Sequence, residues 1–245
     1  MAAVAVELQF KVKFMIENSK IAVIIPAFNE KESIVHVINH IPPFADEIIV
    51  VNNGSTDNTK TVAEKCGATV LDEMDKGYGA ACLKGIEYLK GKSYDIIVFL
   101  DGDYSDYPEE MSAIIDPIIN QNFDLVIGSR MIGKRAKGSM LPQAMFGNWL
   151  SALLIKLFWN YSFTDLGPFR AIKYNSLIKL QMADKNFGWT VEMQIKAAKH
   201  KLNCTEVPVN YRKRIGKSKV TGTIGGTLKA SAKILYLIFI SIFRK

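Results

Sequence analysis

Two carboxylates one residue apart, Asp101 and Asp103, stand in the run Phe99-Leu100-Asp101-Gly102-Asp103-Tyr104-Ser105-Asp106 and follow directly on the apolar segment Ile96 to Leu100. An apolar strand that stops in two acids delivers both to its carboxyl end, the edge where open α/β sheets bind ligands. With no Cys or His beside them they offer only hard oxygen ligands, which suit Mg²⁺ or Mn²⁺ shared with the phosphates of a nucleotide. The plainer alternative is a strand-to-helix turn in which Asp106 caps a helix begun by Pro108 and the other acids are solvated.

Other segments carry charge at turns. Lys76-Gly77-Tyr78-Gly79-Ala80-Ala81-Cys82 joins a cation to two glycines at a helix start; it reads either as a cradle for an anion or a base edge, or as a tight turn packing a helix on a sheet. Tyr211 to Lys219 is a basic loop around Gly216 without apolar periodicity, either a phosphate clamp or a solvated loop.

Positioning such groups takes a scaffold, and strand and helix alternate through the first half of the chain. Apolar runs at Ile21 to Ile25, Glu47 to Val51, Ala68 to Leu71, Ile96 to Leu100 and Asp124 to Ile127 read as strands, with the first ended by Pro26. Helical spacing at Ser33 to Ile41, Thr61 to Cys66 and Met111 to Ile119 fills the gaps and implies a largely parallel sheet. Phe146 to Tyr161 forms an amphipathic segment with a broad apolar face, fit to lie on a membrane or to pack on the sheet. A helix begins at Gly188, and Glu206 to Tyr211 reads as a late strand. Alternation from Glu7 to Phe14 reads as an added edge strand or as an unstructured leader.

With 245 residues, 49% of them hydrophobic, the chain can bury the core of one large domain. Three separated cysteines give no disulfide frame and fit a reducing cytosol. Glu7, Lys11 and Lys13 interrupt the first apolar stretch, so no export signal is expected. The net charge of +7 implies an anionic partner. The apolar run Ile234 to Phe243 falls short of the roughly 20 residues that span a bilayer. His36, His40 and His200 lack metal-like spacing and read as structural or surface residues.

Taken in order, Pro26-Ala27-Phe28-Asn29-Glu30, Asn53-Gly54-Ser55-Thr56-Asp57, Asp101-Gly102-Asp103, Gly128-Ser129-Arg130, Asp165-Leu166-Gly167-Pro168-Phe169-Arg170 and Tyr211 to Lys219 resemble family 2 glycosyltransferases of the GT-A fold, in particular dolichyl- or polyprenyl-phosphate mannose and glucose synthases. The resemblance runs from about Ile21 to Ile242. It implies an α/β fold, a mostly parallel Rossmann-like sheet flanked by helices, with C-terminal amphipathic and apolar helices. The corresponding division is an N-terminal extension over 1–20, a glycosyltransferase domain over 21–228 and a short apolar and basic helix over 229–245.

The implied activity is an inverting, metal-dependent transfer of mannose or glucose from a GDP-mannose or UDP-glucose type donor to polyprenyl or dolichyl phosphate. A protein of this kind would sit peripherally on the cytoplasmic face of a membrane. By the resemblance, Pro26, Phe28, Glu30 and Asn53 hold the base and ribose with Asp57 and Lys76 close by. Asp101 and Asp103, about Gly102, hold the diphosphate through Mg²⁺ or Mn²⁺; Arg130 contacts phosphate; Arg214 and Lys219 close over the donor. Glu192 stands where relatives place an acid near the acceptor, and Glu192 or Asp165 would act as base toward a hydroxyl acceptor.

Two departures stand out. Asn52-Asn53 replaces the acid usual after the second strand, and Met145-Phe146-Gly147-Asn148 stands where lipid-phosphate enzymes carry an arginine, with Lys134, Arg135 or Lys137 as substitutes. The basic residues cluster near the donor loop instead of lining an aromatic platform, which argues against nucleic acid. The other readings are transfer to a soluble hydroxyl and a non-catalytic protein that binds nucleotide sugar or membrane.

Overall fold

The computed structural model describes residues 18–216 and 224–243; the Glu7 to Phe14 segment and Lys219 lie outside them. A seven-stranded sheet organises the chain. Its strands are β1 (Ile21–Ala27), β2 (Glu47–Asn52), β3 (Thr69–Asp72), β4 (Ile96–Phe99), β5 (Leu125–Ser129), β6 (Arg170–Lys173) and β7 (Cys204–Pro208), in the spatial order β3-β2-β1-β4-β6-β5-β7. All neighbours are parallel except β6, which runs antiparallel to both β4 and β5.

The helices are α1 (Ile34–His40), α2 (Thr59–Lys65), α3 (Tyr78–Leu89), α4 (Met111–Gln121), α5 (Pro142–Trp159), α6 (Tyr174–Leu180), α7 (Trp189–Lys199) and α8 (Ile224–Phe243). They divide the core into two layers. Ala22, Ile24, Ile97 and Phe99 face one side of the sheet with Trp189 and Ile155; Ile21, Val23, Ile25, Val98 and Leu100 face the other with Ile34, Met111 and Ile114. Continuous apolar strands are what a sheet covered on both faces requires.

Pro26 does not end β1. The β1–β4 ladder stops at Ile24 opposite Phe99, whereas the β1–β2 ladder continues to Ala27 opposite Asn52. Pro26 therefore lacks a donor only beyond the last β4 pair, where no ladder needs one.

α8 starts at Ile224, five residues before the expected boundary. It packs against α5 and α7, with Ala230 and Ile238 buried. Lys233 Nζ lies 2.8 Å from Asp184 Oδ2, tying the helix to the loop before α7. Among the described residues no helix is long and apolar enough to cross a membrane.

Candidate active site

Because β1, β2 and β4 run parallel, their carboxyl ends present Pro26 to Glu30, Asn52 to Asp57 and Asp101 to Asp106 on one edge of the sheet. Two cavities open there. One, about 340 Å³, is bounded by Pro26, Phe28, Glu30, Asn53, Lys76, Asp101, Gly102, Asp103, Asn186 and Arg214. The other, about 520 Å³, lies toward α5 and α8 and is bounded by Arg130, Ser139, Gln143, Asn148, Thr190, Lys213, Ser231 and apolar groups including Leu141, Leu166 and Ile234. Tyr78, Asp101, Phe187 and Arg214 belong to the walls of both, so the two volumes meet at the acidic motif.

Asp101 is half-buried, with its Oδ1 shielded from solvent and unpartnered. Burial, reinforced by Asp103 nearby, pushes its carboxyl up to about 7. Asp103 is only 4% exposed, against the alternative in which the acids of this turn are solvated. Its Oδ1 accepts from Ser105 N (2.9 Å) and Ser105 Oγ (2.5 Å), and its Oδ2 meets Arg214 Nη1 at 2.7 Å. Two hard carboxylates, one with an unpartnered oxygen, fit a divalent cation shared with a diphosphate; among the described residues no cluster of three such ligands exists, so a bound diphosphate would have to complete the coordination.

Asp106 does not cap a helix. It is buried, neither carboxylate oxygen has a partner, and burial followed by repulsion from Asp101 holds it well above the usual carboxylate range.

The glycines near Lys76 serve packing. A Cβ on Gly77 would fall 2.0 Å from Lys185 O, and one on Gly79 would fall 1.9 Å from Asp184 O. Their absence lets Gly79 N donate to Asn186 O (3.3 Å) and Ala80 N to Lys185 O (2.9 Å). The amino end of α3 is thus engaged by protein carbonyls, and the turn brings Asn186 and Phe187 to the site.

Asn53 fixes that turn from the other side. Its Nδ2 donates to Glu73 O (3.1 Å) and Asp75 O (2.7 Å), and its Oδ1 accepts from Gly77 N (2.8 Å). Asn52 Nδ2 donates to Asp72 Oδ1 at 2.8 Å. Asn53 thus holds backbone and Asn52 a neighbouring carboxylate, and it is the position of Asn53 in the wall of the smaller cavity that remains for a ligand. Asp57 accepts from Thr59 N (2.9 Å) and Lys31 N (3.4 Å) and lies outside both cavity walls. Burial alone would raise its pKa, but the bond from Thr59 Oγ1 (2.5 Å) together with these backbone bonds holds it below the usual carboxylate range.

Arg130 sits in the larger cavity, not beside the smaller one. It donates through Nε and Nη2 to Asp165 at 2.8 Å each, and its backbone N also donates to Asp165 Oδ2 at 2.8 Å. Asp165 has no exposed surface; burial opposes its charge, but Arg130 outweighs that and holds its carboxyl below the usual range. Locked in this pair, Asp165 is not disposed to take a proton from a substrate.

Glu192 is likewise engaged. It accepts from Ala183 N (3.1 Å) and Asp184 N (2.8 Å) and pairs with Lys196 at 2.8 Å, away from both cavities. Lys134, Arg135 and Lys137 are exposed and lie outside both walls; Arg135 Nη1 instead donates to the sulfurs of Met131 (3.1 Å) and Met145 (3.5 Å). Among the described residues the cations of the larger cavity are Arg130, Lys213 and Arg214.

Sequence reasoning missed Tyr78, Phe187 and Lys213, although each stood inside or beside a motif it had marked. Arg170, fully buried, donates to Gly167 O (3.0 Å) and Thr190 O (3.1 Å) and joins the Asp165 turn to α7; burial lowers its pKa to about 10.

A mostly parallel sheet with an acid pair at its carboxyl edge is the arrangement of the GT-A glycosyltransferase fold. The profile of glycosyl transferase family 2 matches residues 22–180, and the chain belongs to that family. It is 30% identical over 211 residues to a UDP-N-acetylglucosamine–dolichyl-phosphate N-acetylglucosaminyltransferase of Methanococcus voltae, covering 77% of this chain and 84% of the relative. An undecaprenyl-phosphate mannosyltransferase of Micrococcus luteus is 27% identical over 220 residues, covering 84% and 90%. In fold the chain is similar to glucosyl-3-phosphoglycerate synthase from Mycobacterium tuberculosis, crystallised with Mn²⁺, UDP and glucosyl-3-phosphoglycerate. The TM-score is 0.76 at 20% identity, over 96% of this chain and 84% of that one.

Proposed function

We propose that the protein transfers a hexose, mannose or glucose, with inversion, from a nucleotide-diphospho-sugar to a polyprenyl or dolichyl phosphate at a membrane surface. The observation that carries this reading is the composition of the larger cavity. Among the described residues its only acid is Asp101, part of the acid pair, while Arg130, Lys213 and Arg214 face an otherwise largely apolar wall.

A hydroxyl acceptor needs a base to remove its proton. A phosphate monoester, with a second pKa of about 6, already brings an anionic oxygen. A cavity rich in cations and poor in carboxylates suits the phosphate, and its apolar walls suit a lipid tail. The named activities of the relatives from Methanococcus voltae and Micrococcus luteus support the same acceptor class.

In this reading the smaller cavity takes the nucleotide, with the base and ribose against Pro26, Phe28, Glu30 and the Asn53 edge and with Lys76 at the rim. Asp101 and Asp103 hold Mg²⁺ or Mn²⁺, which when bound neutralises charge on the diphosphate. The sugar then lies at the junction, between Tyr78 and Phe187. As the glycosidic bond to the diphosphate breaks, negative charge grows on the leaving group, and Arg214 stabilises it more in the transition state than in the ground state. Arg130 and Lys213 orient the acceptor phosphate for attack from the opposite face.

The test is incubation with labelled GDP-mannose or UDP-glucose, Mg²⁺ or Mn²⁺, and polyprenyl phosphate in vesicles, followed by organic extraction. Label in the organic phase is expected. Label transferred only to water-soluble hydroxyl acceptors would replace this reading with the soluble-acceptor one, and no transfer from any donor would favour a non-catalytic binding role.

A further inference from the structure

Both carboxylate oxygens of Asp103 are already engaged. Oδ1 accepts from Ser105 N and Oγ, and Oδ2 is held by Arg214 at 2.7 Å. Asp101, by contrast, keeps Oδ1 orphaned. The carboxylate pair is therefore half occupied by a guanidinium, a positive charge standing where a divalent cation would share Asp103.

The segment that carries Arg214 is anchored just before it, at Tyr211, whose N donates to Lys134 O and whose O accepts from Ala136 N (2.8 Å each), and at Arg212. Arg212 N donates to Ser105 O (2.9 Å), Arg212 Nε to Tyr104 O (2.8 Å) and Arg212 Nη2 to Asp106 O (2.8 Å). Its guanidinium also lies over the rings of Tyr104, 3.4 Å from the centroid, and Tyr107, 3.9 Å away. Planar stacking combined with forked donation is specific to arginine. Tyr104 holds a left-handed backbone with φ 61° directly after Asp103, so Arg212 fastens the very turn that aims the acid.

Two residues on, Arg214 is half-buried and reaches the walls of both cavities. Ile215 N donates to Asp103 O at 3.0 Å, and Gly216 takes φ 84°. The segment is thus fixed at Tyr211 and Arg212, and among the described residues beyond them Arg214 and Ile215 both contact Asp103.

We propose that Arg214, before it meets the leaving group, competes with the divalent cation for Asp103, and that cation and diphosphate arriving together exchange it from the carboxylate to the phosphate. The proposal rests on the reading of Asp101 and Asp103 as metal ligands. Charge balance drives the exchange. Alone, a divalent cation must expel a charge-assisted hydrogen bond to reach Asp103; with a diphosphate present, Arg214 leaves one anion for another and loses little. Metal and nucleotide then bind with positive coupling, each raising the affinity of the other by the same factor. Arg212, staying in place, keeps Arg214 within reach of both partners.

The test measures Mn²⁺ binding by the loss of the free-ion electron paramagnetic resonance signal, on the full chain, with and without UDP or GDP. Without nucleotide, Arg214→Gln is expected to bind Mn²⁺ about tenfold more tightly than wild type, the scale of one competing charge-assisted bond. Arg214→Lys, which keeps the charge, stays near wild type. With nucleotide the order reverses in one respect: the factor by which the diphosphate tightens Mn²⁺ shrinks in Arg214→Gln. Thermal melts of each variant check that the fold persists, and Arg214→Ala provides a second neutral variant.

Unchanged or weaker Mn²⁺ binding by both neutral variants in the absence of nucleotide overturns the exchange, as does a coupling factor equal to that of wild type. Failure of wild type to bind Mn²⁺ even with nucleotide overturns the exchange together with the metal reading beneath it. Failure of transfer to polyprenyl phosphate alongside the expected Mn²⁺ pattern would count against the acceptor alone.

Discussion

Arg130 and Asp165 form a buried, two-pronged ion pair, with both guanidinium-to-carboxylate bonds at 2.8 Å and a third bond from the Arg130 backbone. Asp165 is fully buried and the Arg130 side chain nearly so. Removing one partner of such a pair strands the other charge, typically at a cost of about 3–5 kcal/mol. Asp165→Leu is therefore expected to lower unfolding free energy by about 3 kcal/mol in urea titration, with Arg130→Met/Asp165→Leu recovering much of the loss. A purely catalytic Asp165 would give an inactive variant of wild-type stability, and that result would sink the structural assignment.

Glu192 separates the same alternatives by a milder change. Its carboxylate accepts from Ala183 N and Asp184 N, and a glutamine carbonyl in the same place still accepts. Glu192→Gln is expected to retain activity within about threefold, whereas loss of a general base costs about 10²–10⁴-fold. Glu192→Ala frees the 183–188 loop that carries Asn186 and Phe187, and donor KM should rise. Steady-state kinetics of the two variants checks both expectations; a collapse of kcat in Glu192→Gln is the contrary outcome.

Asp103 calls for a conservative substitution because its Oδ1 also holds the turn through Ser105. In Asp103→Asn the side-chain carbonyl keeps those bonds while the charge that faces Arg214 and the cation is gone. Transfer should fall at least about 10²-fold, in line with the loss of one electrostatic stabiliser, with the melting curve little changed. EDTA should abolish wild-type activity. Undiminished activity under EDTA, or in Asp103→Asn, would remove the metal from the reaction.

The scaffold was legible where burial is uniform along the chain. Ile21 to Ile25 and Ile96 to Phe99 are buried throughout and read as strands at once. β6 escaped because Arg170-Ala171-Ile172-Lys173 is four residues long and begins with a charge; that charge is buried only because Gly167 O and Thr190 O, from elsewhere in the fold, accept from it. The acid pair was visible as a motif, since both members lie within three residues. Partners were not visible: nothing local to Asp165 announces Arg130, and nothing local to Glu192 announces the backbone of residues 183 and 184. Asn53 shows the same limit, for it faces the donor cavity with both ends of its amide already used by a loop about twenty residues on. Lys233, in the apolar and basic terminal helix, is paired with Asp184, a partner nothing local to it announces. The side chain of Lys229 and residues Arg244 and Lys245 lie outside the described set.

The last prediction concerns the face formed by α5 and α8. Neither helix contains an Asp or Glu. Phe146, Trp149, Leu153 and Leu157 form an exposed stripe on α5 at helical spacing, with Lys156 beside it; Tyr236, Phe239 and Phe243 do the same on α8. Phe158 and Phe239 bring the helices into edge contact at 6.3 Å between ring centroids. Trp149 is 54% exposed and Leu157 70%, far more than a core-packing helix leaves in water. Residues of the same two helices, Gln143, Ala144 and Gly147 on one and Ser231 and Ile234 on the other, wall the larger cavity, so a bilayer seated on this face would lie next to the acceptor phosphate. Aromatic groups favour the interface and each lysine near anionic lipid adds about 1 kcal/mol. Full-length protein is expected to sediment with vesicles containing anionic lipid, less so at high salt. Trp149→Ala/Leu157→Ala/Phe239→Ala should weaken that binding at least about tenfold, since each exposed apolar group contributes on the order of 1 kcal/mol when it enters the interface, while nucleotide affinity in solution stays unchanged. Vesicle binding by the triple variant equal to that of wild type would show that the membrane meets another surface.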